Sequence, residues 1–184
     1  CACKGFTLKN IGTEPAKNVQ LIDDLKLTFP VPCTFTVNPL QAQQPLNVNS
    51  AYNGSTTIGL LSGTDVLAVQ QSATVVLNVM YSLNNYTTGI FKNSALASSS
   101  ATLNLNGSGP DITSSDTTDS GTEVDADLDG NPNENGENDP TPFGQNIALL
   151  KAASPLQKIN NSTYRVDFTF KIKNLGPLPA TNVQ

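Results

Sequence analysis

Residues 163–173 read TYRVDFTFKIK, and this stretch decides the fold class. Tyr164, Val166, Phe168, Phe170 and Ile172 share one parity, while Thr163, Arg165, Asp167, Thr169, Lys171 and Lys173 share the other. Successive side chains of an extended chain point to opposite faces, so this unbroken alternation predicts a strand with one apolar and one wet face. Residues 73–83, ATVVLNVMYSL, follow the same rule, with Val75, Leu77, Val79, Tyr81 and Leu83 on one side. Residues 90–97 and 101–106 read as two further strands, and Gly12, Gly54, Gly63 and Gly89 punctuate turns. Many short strands separated by turn residues predict an all-β chain with an immunoglobulin-like β-sandwich, without the Cys-Trp-Cys core of antibody domains.

The strand at 163–173 leads into a second signal. Residues 170–184 read FKIKNLGPLPATNVQ, and residues 6–20 read FTLKNIGTEPAKNVQ, at a constant offset of 164 residues without a gap. Nine of the fifteen positions are identical, among them Lys9 with Lys173, Asn10 with Asn174, Gly12 with Gly176, and Asn18-Val19-Gln20 with Asn182-Val183-Gln184. Self-similarity at a fixed period is the mark of a tandem repeat. The segment from Asn146 to Ser154 precedes the second copy, and its counterpart would lie before Cys1. The expected organisation is a β-sandwich repeat over 1–108 lacking its opening strand, an acidic linker over 109–145, and the first strands of the next repeat over 146–184. The chain thus reads as a window cut from a longer protein. In this frame Lys4 takes the place of Phe168, on what should be the core face.

Composition narrows the function classes. The chain has no histidine, which removes Ser-His-Asp and Cys-His nucleophile arrangements and every histidine-based metal site. The adjacent pair Asp23 and Asp24 is a poor glycosidase dyad, because neighbours on a strand face opposite ways. No apolar run approaches the roughly 18 residues of a membrane span. No basic cluster with interleaved aromatics marks a nucleic-acid site. The expectation is a protein that is not an enzyme, with no nucleic-acid partner and no membrane span in this segment.

Ten of the fifteen acidic residues lie between 109 and 145, where no Lys or Arg falls. Within this segment Asp125, Asp127 and Asp129 alternate, followed by Gly130 and Asn131. Carboxylates at every second position with a glycine at the sixth begin like an EF-hand calcium loop. The twelfth position is Gly136, the nearest acid is Glu137, and flanking helices are not expected, so an EF-hand is rejected. The candidate is a non-helical Ca²⁺ loop of Asp125, Asp127, Asp129 and Asn131, helped by Asp119, Glu123 and Asp139. The alternative is a solvated spacer extended by self-repulsion. Cys1, Cys3 and Cys33 give an odd thiol count, so one thiol is free or pairs between chains. A bridge from Cys33 to Cys1 or Cys3 is the disulfide candidate.

The order of these pieces resembles a conserved-repeat family of bacterial surface proteins catalogued as a domain of unknown function. Its members are tandem β-sandwich repeats in very large secreted proteins, notably from gliding Bacteroidota-type bacteria. Four stretches carry the resemblance: IALLKAA at 147–153; KNLGPLPATNVQ at 173–184, repeated as KNIGTEPAKNVQLIDDL at 9–25; residues 38–80 with Asn53-Gly54, Leu60-Leu61 and Gly63-Thr64-Asp65; and FKNSALASSS at 91–100 before the acidic segment. The cysteines and Lys4 depart from that pattern. The resemblance implies an extracellular or cell-surface repeat of a stalk or filament serving attachment, with copies of itself as partners, tandem and lateral. The alternative it leaves is an adhesin module that grips glycans or partner proteins directly.

Overall fold

The computed structural model describes residues 2–86, 90–102, 109–121, 123–133, 136–144, 147–160 and 162–174. It is nearly all β, with several antiparallel sheets and one single-turn helix. The chain divides into two compact units, Cys1–Pro142 and Phe143–Gln184. Among the described residues no helix is long and apolar enough to cross a membrane.

In chain order the first unit holds β1 (Ala2–Lys9), β2 (Ala16–Ile22), α1 (Leu25–Thr28), β3 (Thr34–Val37), β4 (Gln41–Ala42), β5 (Asp65–Leu67), β6 (Ser72–Ser82), β7 (Ile90–Asn93), β8 (Leu96–Thr102) and β9 (Asp111–Thr117). Strand β6 is the axis of one four-stranded antiparallel sheet, flanked by β1 and by both β3 and β4. A second four-stranded sheet runs in the order β5, β2, β8, β9. The alternation read in 73–83 becomes the burial pattern of β6: Ala73, Val75, Leu77 and Val79 are buried, and the residues between them are not. Phe6 and Leu8 stand opposite Val75 and Ala73 across the β1–β6 ladder and are buried with them. Val19 and Leu21 of β2 and Leu67 of β5 bring the buried residues of the other sheet. Fully burying such side chains stabilises the fold by about 1.5–3 kcal/mol each. Phe29, after α1, joins an aromatic cluster with Tyr81 at 5.0 Å and Phe91 at 5.3 Å between ring centres.

The residues shared by the two copies have definite tasks here. Asn10 is buried at the end of β1, where its amide donates to the carbonyls of Glu14 and Leu67 and its Oδ1 accepts from the Gly12 backbone N–H. A Cβ at Gly12 would stand 3.2 Å from that Oδ1. Asn18 has φ of 53° and sits where the β2–β8 register slips, a bulge that asparagine tolerates better than other non-glycine residues. Its amide donates to Ser100 Oγ at 2.9 Å. Gln20 pairs with Leu61 in both directions, accepting from its N–H and donating to its carbonyl. Asp65, the last residue of Gly63-Thr64-Asp65, is buried and accepts from the Asn47 backbone at 2.8 Å and its side-chain amide at 2.6 Å.

Two expectations change. Residues 111–117 lie inside the segment expected to be linker, yet they form β9 and pair with β8 residue for residue from Thr102↔Asp111 to Leu96↔Thr117. An edge strand draws on main-chain hydrogen bonds and needs little apolar side-chain area, so a Ser/Thr/Asp sequence suffices. The two strands expected over 90–97 and 101–106 are divided differently, as β7 over Ile90–Asn93 and β8 over Leu96–Thr102, and residues 103–108 lie outside the described residues.

The chain continues through β10 (Thr141–Gly144) into β11 (Ile147–Ala153), β12 (Gln157–Lys158), β13 (Tyr164–Arg165) and β14 (Phe168–Asn174). In the second unit β11 pairs with β14 from Ile147↔Asn174 to Ala153↔Phe168, and β12 pairs with β13. The predicted single strand over 163–173 is broken at residues 166–167, where the Asp167 backbone turns to Ser154: its carbonyl accepts from Ser154 N and its N–H donates to Ser154 Oγ. Both faces of β14 are exposed, where the sequence predicts one wet face only.

Candidate acidic cation site

The acidic segment leaves β9 under restraint. The Thr118 N–H donates to the Ala95 carbonyl, the Ala95 N–H donates to Thr118 Oγ1, and Asn133 Nδ2 donates to the Ser115 carbonyl at 2.7 Å. Between these anchors each alternating carboxylate caps the turn that follows it. Asp125 Oδ2 accepts from Gly130 N, Asp127 Oδ1 from Asp129 N, and Asp129 Oδ1 from Asn131 N. Gly130 has φ of 88°, which its missing side chain permits. Short acidic residues at every second position thus fold the chain back on itself, and the carboxylates converge.

Asp125, Asp127 and Glu137 present oxygens within 4.8 Å of one another. Asp125 and Glu137 are buried, and Asp125 Oδ1 and Glu137 Oε2 have no hydrogen-bond donor among the described residues. The other Glu137 oxygen accepts from Ala126 N at 2.6 Å, which carries the glutamate back over the loop. Three anionic groups at this spacing repel one another, and buried carboxylate oxygens without donors are costly. A hard divalent cation ligated at about 2.3–2.6 Å by each oxygen would offset both costs. Asp116 on β9 belongs to the same neighbourhood. Burial pushes its carboxyl up to about 6, the Thr117 backbone opposes this, and the charges of Glu137 and Asp119 push in the same direction as burial.

Of the ligands expected from sequence, the structure brings together Asp125 and Asp127. Asp129, Asp119, Glu123 and Asp139 stand outside the triad, and Asn131 is exposed. Asp119 caps its own turn, accepting from Ser120 N. The third carboxylate of the triad is Glu137, one position beyond the twelfth place of an EF-hand loop. It stands in the sequence as the acid nearest that place, and an irregular loop need not keep EF-hand spacing.

The disulfide expected from Cys33 is not formed. Cys33 is a buried free thiol, with its Sγ 3.7 Å from the Leu83 carbonyl oxygen. Strand register gives the reason for Cys3: its backbone is level with Asn78 of β6, whereas Cys33 lies level with Leu83. Five residues along a strand span about 17 Å, against a limit of roughly 7 Å between the Cα atoms of a bridge. Cys1 and the side chain of Cys3 lie outside the described residues. Asp23 and Asp24 part company too: Asp23 is buried, and Asp24 caps α1 by accepting from Lys26 N. No family model, curated protein or solved structure matches this chain.

Proposed function

We propose that the chain is a structural repeat unit of a long extracellular stalk or filament on a bacterial surface, and not an enzyme. One observation carries this reading: the residues that recur after 164 positions are those that hold the fold. Asn10, Gly12, Asn18 and Gln20 bind turns, a bulge and a neighbouring segment of the first unit, and none of them belongs to the acidic cluster. A copied scaffold supplies length. The two four-stranded sheets with buried faces are compatible with an immunoglobulin-like sandwich, to which an opening strand like β11 would add along β1. Open strand edges of this kind also offer a template for lateral pairing between copies. The acidic segment, closed on Ca²⁺ by Asp125, Asp127 and Glu137, would stiffen the chain that leads from one repeat to the next.

The test is to stretch a tandem array of complete 164-residue repeats one molecule at a time. A ladder of equal unfolding steps, one per repeat, is the expected record. Irregular steps, or a repeat that binds glycans or cells tightly as a single unit, would overturn the structural reading in favour of an adhesive module.

A further inference from the structure

The two copies of the repeated strand carry their partners on opposite edges. The N–H and C=O of one residue leave an antiparallel strand on the same side, and that side alternates along the chain. In the first unit the Asn10 N–H donates to the Gln71 carbonyl at the end of the β1–β6 ladder, while the carbonyls of Thr74 and Asn78 accept from Gln43 and Asn38 on the far side of β6. The even-numbered residues of β1 thus bond to β6. Gly5, Thr7 and Lys9 turn their main-chain groups outward on the outermost strand of the sheet, and all three are exposed. In the second unit the Ser154 N–H donates to the Asp167 carbonyl, in line with the β11–β14 ladder. The odd-numbered residues of β14 therefore bond to β11, among them Thr169, Lys171 and Lys173, the counterparts of Gly5, Thr7 and Lys9.

We propose that β1 is an acceptor edge, completed by β11 of a second copy of this chain once that strand has left β14. The proposal rests on the structural-repeat reading and gives its lateral pairing a partner and a register. Carrying the β11–β14 ladder back by 164 positions sets Ile147 opposite Asn10, Leu150 opposite Thr7 and Ala153 opposite Lys4. Release from β14 is necessary. While paired there, β11 has free only the main-chain groups of its odd-numbered residues. Opposite residues of a ladder share a face, so joining those groups to Gly5, Thr7 and Lys9 would set Leu149 on the wet face of β1. A freed β11 instead presents Ala148, Leu150 and Ala152 to the open edge and sets Leu149 on the side of Leu8.

Burial favours the exchange. On β14, Leu149 is 68 % exposed and stands opposite Ile172, itself 52 % exposed. On β1 it would stand opposite Leu8, which is buried, and removing apolar surface from water is the larger gain. Main-chain hydrogen bonds supply affinity at such an edge, and alternate side chains supply specificity. One contact is given up: Lys151 Nζ lies over the rings of Phe168 and Phe170, and Lys4 replaces the first of them in β1. Donor strand and acceptor edge are different surfaces of one chain. The contact is therefore heterologous and can propagate from copy to copy.

The probe is a synthetic peptide of residues 146–154 added to the folded full chain, read by backbone amide hydrogen exchange. Exchange should slow at Gly5, Thr7 and Lys9, with Phe6 and Leu8 unchanged because β6 already protects them. A peptide N-methylated at Leu150 should lose the effect, and one N-methylated at Leu149 should keep it. No protection at roughly millimolar peptide overturns the proposal. So does the opposite response to the two methyl groups, which would put the strand in the other frame. Sedimentation of the chain alone decides where the strand comes from. Association that grows with concentration and is reversed by the peptide is expected, whereas a chain that stays monomeric over the same range overturns exchange between copies. The unfolding ladder is independent of these readings: equal steps can persist while the edge accepts nothing, and the repeat reading then stands without this partner.

Discussion

The same strand occurs twice in this chain and meets two different surroundings. In β1, Phe6 is 8 % exposed and packed beside Val75 of β6. In β14, its counterpart Phe170 is 58 % exposed and stands opposite Lys151 of β11. The alternation of residues is alike, yet only one copy buries its apolar face. A period of two therefore specifies which side of a strand is meant for a core; whether that core exists depends on elements distant in sequence. By the repeat, the counterpart of β6 would begin 164 positions after Ser72, beyond residue 184.

The largest expected effect breaks this comparison directly. Phe6→Ala should cost about 3–5 kcal/mol of unfolding free energy, the usual range for a buried phenylalanine. Phe170→Ala should stay within about 0.5 kcal/mol, as for an exposed site. Denaturant titration of both variants measures the pair, and equal effects would mean that the second unit buries its face after all.

Next comes pH. Asp23 in the folded state titrates at about 6, above its ordinary 3.8, so the folded chain holds this proton more tightly than the unfolded chain. Its contribution is complete below about pH 4 and is lost as pH rises through about 6, some 3 kcal/mol in all. Melting curves between pH 4 and 7 should show this decline, and Asp23→Asn should reduce it while the share of Asp116, raised in the same way, remains.

Calcium sharpens the contrast between sheet and acidic loop. At about a hundredfold excess over its dissociation constant, a bound ion stabilises the folded state by about 2.7 kcal/mol. The melting temperature should rise with Ca²⁺. Asp125→Asn with Asp127→Asn, or Glu137→Gln alone, should abolish the rise, whereas Asp129→Asn should largely preserve it. The smallest effect is in the second unit, where Lys151 Nζ lies 4.4 Å from the centre of the Phe168 ring. Lys151→Gln should cost no more than about 1 kcal/mol, the scale of an exposed cation–π contact.

These differences mark what a sequence makes legible. The strands rich in alternating apolar residues, β6 above all, could be read because burial writes a period into the chain. Strand β9 could not, since an edge strand of Ser, Thr and Asp carries no such period. Asp125 and Asp127 could be read from local spacing, but Glu137 joins them through an irregular loop that spacing rules do not describe. Lys4 was visible as a misplaced residue on the core face. The carboxyl whose charge acts on it, Asp23, was not, because 19 positions separate the two along the chain.

The bulge at Asn18 has a wider consequence. A strand has a reading frame of two, and one residue gained or lost exchanges inside for outside. At Asn18 the chain takes its extra residue, and immediately after it Val19 and Leu21 fall on the buried side. The bulge is thus a frame marker, setting the phase for everything downstream in β2. Asn18-Val19-Gln20 recurs as Asn182-Val183-Gln184 with no insertion in the intervening register of the repeat. The residues of this frame marker are thereby repeated in sequence. Neighbouring copies can then drift at their exposed positions while agreeing on which side of the strand is the interior.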